Sequence, residues 1–108
     1  MSRLLVLQHL EREGPGLFLQ IAKKKGFRVW IFRLDLGDCL PDLNNGDLLL
    51  VLGGPMGIRD IGNPKYPWLR KEVDLIKEAL NKEIGIIGVC LGAQLLAYAA
   101  GGNVEVLE

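Results

Sequence analysis

Short, unbroken apolar runs alternate along this chain with longer stretches in which apolar residues return every three or four positions, and that alternation narrows the fold more than any other feature. Residues 4–8, 28–33, 48–52 and 85–89 read as strands, with a weak final strand at 103–107. Most of these runs are too continuously apolar to leave one face in water, which is the pattern of parallel strands covered by helices on both faces. Between them, residues 16–25 carry Leu17, Ile21 and Ala22 on one helical face and end in Lys23-Lys24-Lys25. Those cations complement the helix dipole before Gly26 stops the helix, so the lysine run reads as a helix end and not as an anion site. Residues 66–81 place Leu69, Val73, Ile76 and Leu80 at spacings of four, three and four, with charges between them. That is an amphipathic helix lying on the sheet. The order β-α-β-β-α-β-α-β predicts an α/β architecture.

At 108 residues the chain forms one domain at most. Lys and Arg number 13 against 13 Asp and Glu, so no net field draws the chain to nucleic acid, an anionic membrane or a polyanion, and a small molecule or a protein is the expected partner. Apolar stretches such as 48–52 and 95–100 fall far short of the ~20 residues that span a bilayer. Met1-Ser2-Arg3 leads straight into the first strand with no apolar signal core, which predicts a cytoplasmic protein. Cys39 and Cys90 read as two unpaired thiols of a reducing compartment, with Cys39 incidental. Residues 53–67 form the one long irregular segment, a length typical of functional or mobile loops.

The chemistry concentrates at Gly88-Val89-Cys90-Leu91-Gly92, where an apolar strand passes into a helix that carries Gln94 one turn later. Such a turn is a nucleophile elbow with sulfur in place of a hydroxyl. The flanking glycines remove side chains that would strike the neighbouring strand and helix, and the turn pushes Cys90 out at the C-terminal edge of the sheet. At a helix N-terminus a thiolate is stabilised by the dipole and the free amides, which predicts a thiol more acidic than the ~8.5 of an ordinary cysteine. A buried, inert cysteine in a glycine-rich turn is the alternative.

A second glycine-rich loop, Gly53-Gly54-Pro55-Met56-Gly57, follows the strand at 48–52. Ligands of open α/β sheets bind at that edge. The loop can supply one oxyanion donor and the Leu91 amide the other, each such donor being worth ~3 kcal/mol in the transition state. A phosphate-binding loop is the competing reading, but no Gly-Lys-Ser/Thr ending and no Gly-x-Gly-x-x-Gly after the first strand support it. Neither a metal nor a cofactor is expected.

The two loops in this order resemble class I glutamine amidotransferases, especially the stand-alone proteins similar to the glutaminase domain of GMP synthase; Leu7-Gln8-His9 and Glu13-Gly14-Pro15-Gly16 fit that subgroup as well. The resemblance covers essentially all of residues 1–108. It implies a flavodoxin-like, doubly wound parallel sheet, truncated before the C-terminal half of the domain. It implies that Cys90 attacks the side-chain amide of glutamine to form a thioester and release ammonia, and that Gly54 and Leu91 form the oxyanion hole. Gly53, Pro55, Met56, Gly57 and Gln94 would surround the bound glutamine.

The chain departs from the family by lacking a downstream histidine and glutamate. Its one histidine, His9, matches a non-catalytic position, and neither Glu105 nor Glu108 follows a histidine in a His-x-Glu pair. The expectation is therefore an incomplete catalytic triad and near-background turnover by the isolated chain. The open sheet edge predicts a homo-oligomer, or a complementary polypeptide of a split enzyme. A non-catalytic binding module or pseudoenzyme is the competing reading. A cysteine-elbow hydrolase or chaperone, with Glu11 or Glu13 beside the cysteine, fits the Gly-Gly-Pro-Met-Gly loop and Gln94 less well.

Overall fold

The computed structural model describes residues 2–12 and 14–101. Four strands, β1 (Arg3–Gln8), β2 (Arg28–Arg33), β3 (Leu48–Val51) and β4 (Gly85–Gly88), form one parallel sheet in the order β2-β1-β3-β4. The register sets Leu5 against Trp30 on one side and Leu49 on the other, and Leu49 in turn against Ile86. Helices α1 (Leu17–Lys24), α2 (Leu69–Asn81) and α3 (Leu91–Ala99) complete a doubly wound, flavodoxin-like α/β fold, and all four strands point their C-terminal ends to one edge. The weak strand expected at 103–107 lies outside the described residues. Among the described residues, no helix is long and apolar enough to cross a membrane.

Alternation along the two central strands divides the core into two layers. Leu5 and Leu7 of β1 join Leu49 and Val51 of β3 under α2 and α3, packed by Leu69, Val73, Ile76 and Leu95. Leu4 and Val6 point the other way, with Leu50, Leu52 and Ala22 of α1. Full burial on both faces is what the unbroken apolar runs of β1 and β3 require.

The outer elements depart from that expectation. Among the described residues, edge strand β2 pairs only with β1 and leaves Trp30 and Ile31 exposed, although its run is as apolar as the others. On α1, Ile21 was expected to face inward but is 48% exposed; with Phe18, Phe27, Leu48, Leu50 and Ile87 it borders an open apolar groove. On α2 the buried stripe is Leu69, Glu72, Val73, Ile76 and Ala79, and Leu80 is rotated outward by the ~100° that separates consecutive helical residues. That helix starts at Leu69, not at residue 66, because Pro67 disfavours helical backbone at Tyr66.

The joints are local and polar. Gly26, at φ 84°, ends α1, with the Gly26 N–H donating to the Lys23 carbonyl and the Phe27 N–H to that of Ala22. This is the paired C-terminal closure expected after the lysine run. The same closure ends α2, but there Glu83 takes the left-handed position at φ 57°. At the N-terminal edge of the sheet, Arg3 forks onto Asp47 at 3.0 and 2.8 Å, tying the start of β1 to the turn before β3. The Arg3 hydrogen bond holds the Asp47 carboxyl below its ordinary range against the opposing effect of burial, with a lesser contribution from the Asn44 N–H.

Candidate functional site

Cys90 stands between β4 and α3 with φ 53° and ψ −111°, a backbone region that residues with a Cβ rarely occupy. Three hydrogen bonds impose it. The Val89 N–H donates to the Val51 carbonyl (2.9 Å), the Gly92 N–H to that of Val89 (2.9 Å), and the Gln94 N–H to that of Cys90 (3.2 Å). The strand ladder is thus carried one residue past β4 and folded directly into a helical turn. Both glycines of Gly88-x-Cys90-x-Gly92 are sterically forced. A Cβ on Gly88 would stand 2.6 Å from the Gly92 carbonyl oxygen and 2.7 Å from the Ala93 nitrogen, and one on Gly92 would overlap the Val51 carbonyl. Cys90 itself is exposed and unpaired, as is Cys39.

The loop 53–57 leaves β3 immediately beside this turn, since β3 and β4 are paired neighbours. A Cβ at Gly54 would meet Met56 Sδ at 2.7 Å, His9 Cβ at 3.2 Å and Leu91 Cδ2 at 3.3 Å. Gly54 therefore lies beside the Leu91 side chain at the start of α3, and a larger residue there would have to displace the Met56 thioether. Met56 is buried beneath the loop, Gly53 is buried, and Pro55 is exposed at the tip. The Gly57 N–H donates to Asp60 Oδ2 (2.8 Å) and the Asp60 N–H to the Gly57 carbonyl (2.9 Å), which pins the loop into a 3-10 turn at Ile58–Asp60. Residues 53–67 are thus anchored, although they carry no long element. Gln94 is half-buried on α3, one turn from Cys90. All eight residues singled out in the sequence lie at the C-terminal ends of two adjacent strands, and among the described residues neither the Gly54 nor the Leu91 amide has a hydrogen-bond acceptor.

One constellation was missed in the sequence. His9, just past β1, is 2% exposed, and its Nε2 lies 2.6 Å from Oε2 of Glu72, which is fully buried on α2. Three further polar atoms, His9 Nδ1, Glu72 Oε1 and Trp68 Nε1, are buried without a partner among the described residues. The available signal was Glu72 itself: it sits three residues after Leu69 and four before Ile76, a carboxylate on the apolar stripe of an amphipathic helix.

Comparison with known proteins places the chain in a family. The glutamine amidotransferase class-I family matches residues 17–108. A putative glutamine amidotransferase-like protein YfeJ of Salmonella typhimurium is 33% identical over 99 residues, covering 89% of this chain and 41% of the relative. The glutamine-hydrolysing GMP synthase of Petrotoga mobilis is 36% identical over 63 residues, covering 58% of this chain and 11% of that protein. The crystal structure of a glutamine amidotransferase from Thermotoga maritima superposes with a TM-score of 0.81 at 35% identity, over 93% of this chain and 43% of that one. The chain thus spans about two-fifths of the length of YfeJ and of the Thermotoga protein. In sequence and in fold, it belongs to the class-I glutamine amidotransferases.

Proposed function

We propose that this chain carries the nucleophile and the oxyanion hole for hydrolysis of the glutamine side-chain amide. Cys90 Sγ attacks the amide carbon, and the Gly54 and Leu91 amides receive the negative charge that develops on oxygen. The C–N bond then breaks, ammonia leaves with the thiol proton, and a γ-glutamyl thioester remains for water to hydrolyse to glutamate. Gly53, Pro55, Met56, Gly57 and Gln94 line the position of the glutamine. The observation that carries this reading is the strained, exposed Cys90 at the head of α3, with Leu91 beside Gly54. A helix N-terminus favours an anion at that point.

Proton transfer is assigned elsewhere. His9 is the one imidazole in the 108 residues, and it is buried against Glu72. The acid-base partner of Cys90 is therefore provided by residues outside this sequence, and without it about 10²- to 10⁴-fold in rate is absent. Ammonia release from glutamine by the 108-residue chain, beside Cys90→Ala, is expected to stay near background, while a glutamine-derived chloroketone is expected to label Cys90 selectively. Cysteine-dependent turnover by the chain alone would show that it contains its own base. The buried His9 also favours a second reading, a module that binds glutamine without hydrolysing it; saturable glutamine binding by a chain whose Cys90 resists the chloroketone would select it.

A further inference from the structure

We infer that His9 and Glu72 form a buried positioning pair that holds the loop 53–57 at the height where the Gly54 amide lines up with that of Leu91. Three elements meet at the pair: the end of β1 through His9, the first turn of α2 through Glu72, and the loop after β3, where a Cβ on Gly54 would stand 3.2 Å from His9 Cβ. Adhesion of α2 to the sheet does not need a carboxylate there, because Leu69, Val73 and Ile76 already fill the stripe around it, and a buried polar pair contributes little to stability compared with apolar groups of the same shape. What the pair adds is a fixed ring orientation. The Nε2 to Oε2 contact at 2.6 Å is the sole hydrogen bond of both side chains among the described residues, since Nδ1 and Oε1 have no partner. One bond thus decides how the His9 side chain stands, and that side chain borders Gly54 through its Cβ. Oxyanion donors act within a window of a few tenths of an ångström, so a small settling of the loop separates Gly54 from Leu91 as a working pair.

The bond runs through Nε2, which gives a discriminating substitution. A glutamine side-chain amide places its nitrogen near the Nε2 position of histidine, whereas asparagine reaches only to the Nδ1 position. His9→Gln therefore keeps the contact with Glu72, and His9→Asn loses it; Glu72→Met serves as a second variant that keeps the volume and loses the hydrogen bond.

The test uses the 108-residue chain in a Cys39→Ser background, so that Cys90 is its one thiol. Two readouts are taken: the amide chemical shifts of Gly54 and Leu91, and the rates at which Cys90 is alkylated by a glutamine-derived chloroketone and by iodoacetamide. In each alkylation the sulfur–carbon bond forms as halide leaves. His9→Asn is expected to move both amides and to slow the chloroketone about tenfold while iodoacetamide changes less than about twofold, and His9→Gln to restore both, since only the chloroketone engages the oxyanion donors. Gly54 and Leu91 amides that stay in place in His9→Asn, or that move equally in His9→Gln, would overturn the inference. The chloroketone readout rests on the glutamine reading above. If the unmodified chain fails to prefer the chloroketone, that reading falls, and the amide shifts alone decide whether the pair positions the loop. Should His9→Asn fail to fold, Glu72→Met, which removes the hydrogen bond, replaces it: moved amides support the pair and unmoved amides refute it.

Discussion

Cys90 holds a backbone conformation that costs a residue with a Cβ of order 1–3 kcal/mol. Its side chain is exposed, so little packing offsets that cost. Cys90→Gly is therefore expected to raise stability by about 1 kcal/mol, read as a higher urea midpoint with an unchanged slope. A lower midpoint would mean that the thiol makes stabilising contacts and that strain is not what distinguishes this position. The tight strand-to-helix turn at Cys90 was legible in the sequence because its steric demands are written in residue types: Gly88 and Gly92 are the positions where a Cβ meets backbone. Glu72 was not legible as part of the site. A charge among charges on a helix looks solvated until the phase of the stripe is fixed, and its partner His9 lies 63 residues away in the sequence.

At the scale of elements, the two helix ends carry a natural comparison. α1 and α2 close through the same pair of backbone hydrogen bonds, but glycine takes the left-handed position in one and Glu83 in the other. Glu83→Gly should stabilise the chain by roughly 0.5–1 kcal/mol, because the penalty on the Cβ exceeds the entropy that glycine adds to the unfolded chain. Thermal unfolding of the single variant checks this, and a fall in Tm would refute it. The Arg3–Asp47 fork joins β1 to β3 and has a definite pH signature. Its carboxyl titrates below the ordinary range when folded, so its contribution is complete above about pH 4, the unfolded value, and fades as pH falls through the lower folded value. Asp47→Asn should thus lower the urea midpoint at pH 7, and the gap to the parent chain should narrow below about pH 4. A gap independent of pH would assign the loss to packing. Central strands β1 and β3 were readable from apolar runs alone, whereas β2 was not: an edge strand with the same composition leaves Trp30 and Ile31 in water, and the sequence does not encode which strand is the edge.

Across the whole molecule, the two faces of the sheet are unequally covered. Among the described residues, α2 and α3 together seal one face, while α1 alone sits on the other and leaves the groove between itself and β4 open, with Phe18 40%, Ile21 48% and Ile87 37% exposed. A contiguous apolar surface of this kind on a chain with balanced charge has no net repulsion to keep copies apart. Sedimentation at rising concentration should therefore show self-association of the chain at pH 7. The double variant Ile21→Glu/Ile87→Lys should shift it toward monomer. Because both side chains are already more than a third exposed, the loss of folding stability should stay within about 1 kcal/mol, so that unfolding and dissociation separate cleanly. Association unchanged in the double variant would place the contact on the other unpaired surface, edge strand β2 with Trp30 and Ile31, where strand-to-strand pairing between copies is the available mode. Substituting Trp30 would then abolish it, and the groove beside α1 would have to be accounted for by some other covering.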